Sequence, residues 1–213
     1  GNFTLNGLCG FDLHGKTAGI VGTGKIGKVM AGIVKGFGMN VLAYDPFPDA
    51  AWAAAEGVRY TAVEELFKAS DVISLHCPLT PQTKYIVNRD SMKLMKPEAL
   101  LINTGRGGLI DSKALLEALK AKQIGGAGLD VYEEEGDYFF EDHSLAPIRD
   151  DVLARLMTFP NVLLTSHQAF FTEEALTAIA ETTVANVCAY FEKGELSNEV
   201  CARCGPPPPS PAK

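Results

Sequence analysis

Several apolar runs of this 213-residue chain end at residues that can bind charge or move a proton. These residues are Asp45, His76, Arg106, Asp130 and His167, with Glu135 five positions after Asp130. A guanidinium binds a carboxylate through two parallel hydrogen bonds and stabilises negative charge that develops on a carbonyl oxygen. Histidine is the usual proton donor near neutral pH, and a carboxylate beside it would fix its tautomer and favour its protonated form. Such a set suits the reduction of a 2-keto acid by hydride from a bound cofactor.

Two histidines compete for the proton-donor role. His76 and His167 each follow an apolar run, so either could fill the role on position alone. A histidine at the end of a strand can also be purely structural, and Arg106, which lies between two glycines, could simply be a loop residue. The residue types and their spacing leave both histidines open.

A glycine-rich segment, GTGKIG at residues 22–27, ends the first apolar run and opens an amphipathic stretch. This is the context that a dinucleotide-binding turn requires. Gly22 would permit the tight turn, Gly24 would let the backbone approach a pyrophosphate, and Gly27 would allow the helix to pack closely on the strand. The helix N-terminus would then offer unpaired N–H groups to the phosphates.

Asp45 indicates which dinucleotide would bind. It follows the second apolar run, 18 residues after Gly27, where an acid can accept hydrogen bonds from the adenosine ribose hydroxyls. Its carboxylate would repel a 2′-phosphate, and the next residues, Pro46 to Pro48, include no cation to bind one. The sequence therefore predicts NAD rather than NADP.

Seven β-type runs, most of them followed by a helical pattern, must position these residues. Most are continuously apolar, which is typical of strands buried on both faces in a parallel sheet. We therefore predict a doubly wound, Rossmann-type α/β fold with helices on both faces and its ligands beyond the carboxyl ends of the strands. The predicted strands are 17–23, 40–46, 58–61, 72–78, 99–105, 126–131 and 161–167, and the predicted helices are 24–38, 62–69, 111–122 and 172–193.

Two segments fall outside this alternation. Residues 133–151 are acidic and aromatic, and so long a loop inside a compact domain is usually functional or packed on another domain. Residues 205–213 are proline-rich and predict an extended, disordered tail.

Composition argues against several classes of protein. The net charge of −7, from 19 basic and 26 acidic residues, argues against a nucleic-acid partner held by general electrostatics. No apolar run is long enough to cross a bilayer, so we expect no membrane partner.

The five cysteines do not form a dense disulfide pattern. Cys201 and Cys204 make one CxxC, but a second ligand pair is missing, so we expect reduced thiols and no metal site. A cytoplasmic location is the corresponding expectation.

Five ordered blocks resemble those of the NAD-dependent D-2-hydroxyacid dehydrogenases: GTGKIGK, DVISLHCPLTPQT, LINTGRGGLID, GAGLDVYEEE and NVLLTSHQAFFTEEA. The resemblance implies that Arg106 binds substrate, that Glu135 orients the histidine and that His167, not His76, donates the proton. It also implies cofactor contacts from Lys25, Ile26, Asp45, Cys77, Pro78, Thr83, Thr104, Gly105, Arg106 and Asp130.

Within that family, DYFFEDHS and TSHQAFFTEEAL resemble the D-lactate and D-2-hydroxyisocaproate members. This likeness implies a small 2-keto or 2-hydroxy acid substrate, with pyruvate and D-lactate as the leading pair and Phe170 near the substrate side chain. Hydroxyisocaproate, glyoxylate and phosphoglycerate members remain alternatives, as does an NAD-sensing corepressor-like binding protein.

The same resemblance implies the domain organisation. Residues 1–11 match the end of an interdomain helix, 12–200 the NAD-binding domain with its C-terminal helix, and 201–213 a tail unlike the family's ending. Family members carry a substrate-domain segment before this point and form homodimers. We therefore expect the chain by itself to bind NAD but to fall short of full activity, and we expect a homodimer for the full-length protein.

Overall fold

The computed structural model describes residues 3–5, 9–194, 196 and 198–199, and divides into two compact units, Gly1–Ala169 and Phe170–Lys213. The first contains the whole sheet. The second contains one long helix. The CxxC and the proline-rich tail lie outside the described residues, so the predictions made for them stay predictions.

Seven parallel strands form one sheet in the order β3-β2-β1-β4-β5-β6-β7. The crossover after β3 brings β4 beside β1, which is the switch point where open sheets of this type bind ligands. The predicted doubly wound sheet is confirmed. The strands are β1 Thr17–Val21, β2 Asn40–Tyr44, β3 Arg59–Tyr60, β4 Val72–Leu75, β5 Leu100–Asn103, β6 Gly126–Leu129 and β7 Val162–Leu164.

Both faces of the sheet are buried, which explains the continuous apolar runs. Along β1, Ile20 belongs to one buried cluster and Val21 to another. On β2, Val41 and Leu42 divide between the same two clusters, because successive side chains of a strand point to opposite faces. Helices must therefore cover both faces.

The four predicted helices are present, each slightly shorter than its pattern. Asp111 caps α5 by accepting a hydrogen bond from Ala114 N at 3.0 Å, and Thr172 caps α7 by accepting one from Ala175 N at 3.2 Å. The helices are α1 Lys25–Gly36, α2 Ala50–Glu56, α3 Val63–Ala69, α4 Arg89–Met92, α5 Ser112–Lys120, α6 Asp151–Leu156 and α7 Glu173–Lys193.

Three of these helices, α2, α4 and α6, were not predicted. Each begins after an acceptor side chain, Asp49, Asn88 or Asp150, that accepts from backbone N–H groups of the first turn. They are only four to seven residues long, too short for a clear 3.6-residue apolar period. The predicted loop 133–151 holds a 3-10 turn, Glu135–Asp137, and its last residue already belongs to α6.

The strands end earlier than their apolar patterns suggest, because the following residues leave the ladder to form the loops of the site. The strand predicted for 72–78, for example, stops at Leu75.

Near the N-terminus, residues 3–5 and 9–11 show no helix, so the helix end expected in 1–11 is absent from its described part. Across the described residues, none of the helices combines the length and apolar character that a bilayer crossing needs.

Candidate active site

The registers place the carboxyl ends of six strands in one row. Tyr44 pairs with Val21, Val21 with Leu75, and Leu75 with Asn103. The row continues through Leu129 to Leu164. The residues that follow each end therefore lie along a single edge, as the parallel sheet predicts: Gly22, Asp45, His76, Thr104, Asp130 and Thr165.

The glycine turn after β1 is built tightly. Gly22 has a φ of 95°, and a Cβ on it would lie 2.5 Å from the backbone nitrogen of Cys77. A Cβ on Gly27 would lie 1.9 Å from the carbonyl oxygen of Gly22, so only glycine lets α1 approach the strand this closely. By contrast, nothing lies within 4 Å of a Cβ built on Gly24, the residue before α1. The turn thus leaves space at the helix N-terminus, where Lys25 and Ile26 are exposed.

Asp45 lies beside this turn. Its Oδ2 accepts hydrogen bonds from the backbone nitrogen of Thr23 at 2.7 Å and from the Thr23 hydroxyl at 3.1 Å. Its Oδ1 accepts one from Phe47 N at 2.9 Å. The carboxylate is thereby fixed next to the glycine loop and remains half-buried. This geometry suits the ribose-binding role predicted for Asp45.

The segment after β4 carries His76 and Cys77. The Nε2 atom of His76 lies 2.9 Å from the Ser74 hydroxyl, and burial lowers the pKa of His76 below its ordinary value. Burial likewise raises the pKa of the Cys77 thiol to about 11. Both side chains are therefore neutral near pH 7, so His76 is poorly suited to donate a proton.

Farther along, the Thr83 hydroxyl closes the same loop by donating to the carbonyl oxygen of Pro78 at 2.6 Å. Pro78 itself is exposed at this edge. Cys77, Pro78 and Thr83 are thus brought together, and their predicted contacts with the cofactor stay predictions.

Arg106 lies on the loop after β5 and is exposed. The fully buried Asn103 organises this loop: its Nδ2 donates to Arg106 O at 2.9 Å and its Oδ1 accepts from Gly105 N at 3.0 Å. Thr104 is exposed beside them. No role was predicted for Asn103, although a buried amide at the end of a strand must find such partners.

Asp130 is 5% exposed and anchors the loop that follows β7. Its carboxylate accepts the Thr165 hydroxyl at 2.6 Å and the backbone nitrogens of Gln168 and Ala169 at 2.9 Å each. Burial disfavours the charged carboxylate, but these hydrogen bonds outweigh it and lower the pKa of Asp130. Asp130 therefore holds the His167 loop, a role that sequence analysis missed, and its predicted cofactor contact stays a prediction.

His167 and Glu135 form the pair that the resemblance implied. The Nδ1 atom of His167 lies 2.9 Å from Glu135 Oε1, and the other carboxylate oxygen accepts from Tyr132 N at 3.0 Å. A carboxylate can only accept, so Nδ1 carries the proton and Nε2 faces away from the pair. His167 adopts a φ of 52°, and its backbone nitrogen donates to Asp130 O at 2.6 Å. Of the two candidate histidines, His167 is hydrogen-bonded to a carboxylate, whereas His76 is hydrogen-bonded to a hydroxyl.

Arg106 and His167 lie at the same edge of the sheet. Each is three residues beyond the end of its strand, and only β6 separates β5 from β7. Because neighbouring strands are about 4.8 Å apart, the two strand ends are roughly 10 Å apart, a span that a small acid and two side chains can bridge. Phe170 belongs to the second unit, where its ring packs edge-on against Phe171, and its substrate contact stays a prediction.

A family model described as the D-isomer specific 2-hydroxyacid dehydrogenase, NAD binding domain, matches residues 1–169. The cofactor predicted from the glycine turn and Asp45 agrees with this match.

Comparisons with individual proteins also match this chain to 2-hydroxyacid dehydrogenases. D-lactate dehydrogenase of Escherichia coli strain K12 is 55% identical over 194 residues, which are 91% of this chain and 58% of that protein. Among solved structures, the pyruvate reductase of Chlamydomonas reinhardtii matches with a TM-score of 0.88 and 45% identity, covering 93% of this chain and 60% of the other. D-lactate dehydrogenase with NAD+ from Lactobacillus jensenii matches with a TM-score of 0.82 and 34% identity, covering 93% and 59%. This chain thus spans less than two thirds of the length of these relatives.

Proposed function

Because the chain belongs to the family of D-isomer specific 2-hydroxyacid dehydrogenases, whose NAD-binding domain it matches, we propose that it serves the NAD-dependent reduction of a small 2-keto acid. Pyruvate is the leading substrate and D-lactate the corresponding product. The observation that carries the proposal is the His167–Glu135 pair, held 2.9 Å apart at the edge that also bears Arg106 and the glycine turn.

The cofactor site fits a dinucleotide. The open space at Gly24 and the N-terminus of α1 suit a pyrophosphate, and Asp45 suits the adenosine ribose while disfavouring a 2′-phosphate. When bound, NADH would supply the hydride. The protein's own contribution is to hold the cofactor and to position and polarise the keto acid.

Three side chains divide the remaining work. Arg106 binds the carboxylate of the keto acid and stabilises the charge that develops on its carbonyl oxygen. His167 donates a proton from Nε2 to that oxygen. Glu135 holds Nδ1 and stabilises the protonated ring, so that Nε2 stays directed at the substrate.

The first test replaces the proton donor in the protein as its gene encodes it. In His167→Gln we expect the rate of NADH oxidation with pyruvate to fall by at least about a hundredfold, the usual contribution of a general acid. His14→Gln, a change in an exposed histidine, is the matched control and should keep the wild-type rate.

Two measurements separate cofactor binding from substrate choice. Titration of NADH fluorescence reports whether the chain binds its cofactor, and NADPH should bind more weakly because of Asp45. A panel of pyruvate, 2-ketoisocaproate, glyoxylate and phosphohydroxypyruvate, followed at the NADH absorbance, identifies the substrate. Near-normal turnover by His167→Gln would contradict the mechanism, and NADH binding without turnover of any keto acid would contradict the enzymatic function.

A further inference from the structure

Phe140 contacts the histidine of the site from the long segment that follows β6. Its ring centroid lies 6.0 Å from that of the His167 imidazole, with 36° between the two planes. The turn that carries Phe140 begins at Glu135, whose carbonyl oxygen accepts hydrogen bonds from the backbone nitrogens of Tyr138 and Phe139. One short segment thus presents both the carboxylate that binds Nδ1 and an aromatic ring that lies against the imidazole.

The conformation of Phe140 is costly by ordinary measures. Its φ is 71°, which is a genuine outlier for a bulky residue, and its side chain is 73% exposed. The preceding Phe139 is buried in the core, so burial accounts for that ring but not for Phe140. Strained residues of this kind cluster at functional sites, where the surrounding structure holds them in place.

The hydrogen bond to Glu135 does not by itself fix the orientation of the imidazole plane. It holds Nδ1, but a single hydrogen bond allows the ring to tilt about the line that joins the two atoms. The Phe140 ring packs beside the imidazole at an interplanar angle of 36° and opposes that tilt, since tilting would break the aromatic contact. The direction of Nε2 then depends on Phe140 as well as on Glu135.

We propose that Phe140 is a positioning residue that fixes the plane of the His167 ring, so that Nε2 points at the carbonyl oxygen of the keto acid. This inference rests on the proposed function and adds to it a residue that does not itself exchange a proton. An aromatic ring is what the position requires, whereas the backbone at φ 71° would favour glycine.

The test compares Phe140→Ala with Phe140→Tyr in the protein as its gene encodes it. Loss of an aromatic pair should lower kcat with pyruvate about three- to tenfold in Phe140→Ala, with the KM for NADH unchanged. Phe140→Tyr keeps the ring and should keep most of the activity. Wild-type kcat in Phe140→Ala, or an equal loss in Phe140→Tyr, would overturn the proposal.

Two further variants separate positioning from simple stability. Phe140→Gly removes the ring and also relieves the backbone strain, so it should be at least as stable as the wild type and yet as slow as Phe140→Ala. Leu145→Ala removes a fully exposed apolar side chain from the same segment and should change neither property. If Phe140→Gly has both a lower kcat and a lower melting temperature than the wild type, Phe140 has a purely structural role and the proposal is wrong.

The contact can also be measured without turnover, which separates this inference from the proposed function. In a sample with labelled histidine rings, the Phe140 ring current should shift the His167 C–H signals, and Phe140→Ala should abolish that shift. The chain has four histidines, so His167→Gln assigns the signal. If the His167 signal is the same in wild type and Phe140→Ala, the inference is overturned. If the signal moves but the protein turns over none of the keto acids, the contact is supported and the proposed reaction is rejected.

Discussion

At the residue scale, the proposed chemistry depends on one carboxylate that two hydrogen bonds hold in place. Glu135 accepts from the imidazole of His167 through Oε1 and from the backbone nitrogen of Tyr132 through Oε2. The hydrogen bond from Tyr132 N orients the Glu135 carboxylate, and the carboxylate in turn orients the His167 ring. Charge matters here as well as geometry, because an ionised acceptor stabilises a protonated imidazole more strongly than a neutral acceptor does.

Glu135→Gln separates charge from geometry. The amide oxygen can still accept from Nδ1, but the charge-assisted part of the hydrogen bond is lost, and we expect kcat with pyruvate to fall roughly tenfold. Steady-state kinetics with saturating NADH measures the change. Glu134→Gln, the same substitution at the exposed neighbouring residue, should leave kcat unaltered. Equal rates for wild type and Glu135→Gln would mean that the charge has no part in catalysis.

At the scale of elements, the loop after β7 is attached to the end of β6. Asp130 accepts two backbone N–H groups and one hydroxyl from this loop, and its own carbonyl oxygen accepts from His167 N. The loop needs these bonds because His167 has a positive φ, which is unfavourable for a residue with a side chain. The parallel pairing of β6 with β7 brings the anchor and the loop together.

Asp130→Asn should disturb this loop more than its small change in size suggests. One carboxylate oxygen becomes an NH2 group, which would face a backbone N–H of Gln168 or Ala169, and two donors cannot bond. We expect kcat to fall about a hundredfold because His167 is misplaced. Thr165→Val removes only the hydroxyl donor and should cost about 1 kcal/mol of unfolding free energy. Pyruvate kinetics and urea denaturation measure the two effects, and an Asp130→Asn variant with normal kcat would show that the loop does not need its anchor.

At the scale of the whole molecule, buried and half-buried groups couple the stability of the sheet unit to pH, among them three aspartates and one histidine. Hydrogen bonds lower the pKa values of Asp71, Asp130 and Asp150 despite their partial burial, and burial lowers that of His76. The three carboxylates stabilise the fold above their unfolded value of 3.8, and that stability is lost as the pH falls through their lower folded values. His76 is buried neutral, so stability begins to fall once the pH drops below 6.5, where the unfolded chain takes up the proton first.

Asp71 tests this coupling away from the active site. It accepts from Thr17 N and from the Lys96 ammonium, each at 2.8 Å, at the amino-terminal edge of the sheet. Asp71→Asn should lower the free energy of unfolding at pH 7 by about 1–3 kcal/mol, the usual worth of a charge-assisted hydrogen bond. The difference in the free energy of unfolding between this variant and the wild type should become smaller below pH 3.8, because the wild type loses this stabilisation as Asp71 is protonated.

Denaturation at several pH values measures both effects. Asp90→Asn is the control, since Asp90 is exposed and paired only on the surface with Lys93, and it should show no measurable change. A constant difference between wild type and Asp71→Asn down to pH 2 would rule out titration of this carboxylate as the cause.

The sequence by itself determined the sheet, the glycine turn and the position of Asp45. These features are local: a strand buried on both faces requires a continuous apolar run, and a tight turn before a helix requires glycine at fixed spacings. Residues 22–27 and the runs around them therefore predict their structure without reference to distant parts of the chain. The short helices α2, α4 and α6 were not predicted because they are too short to show a recognisable apolar period, although their capping residues are local signals.

Only the tertiary structure shows which side chains lie together. Residue types and spacing left His76 and His167 equal, and the family resemblance chose between them. The fold shows how the two differ, because His167 contacts a carboxylate 32 residues away whereas the half-buried His76 lies beside Ser74. Asp130 reaches its loop across 38 and 39 residues, and Phe140 reaches His167 from a turn without a recognisable pattern. Such pairings depend on strand order and on loop paths, which no local run of sequence contains.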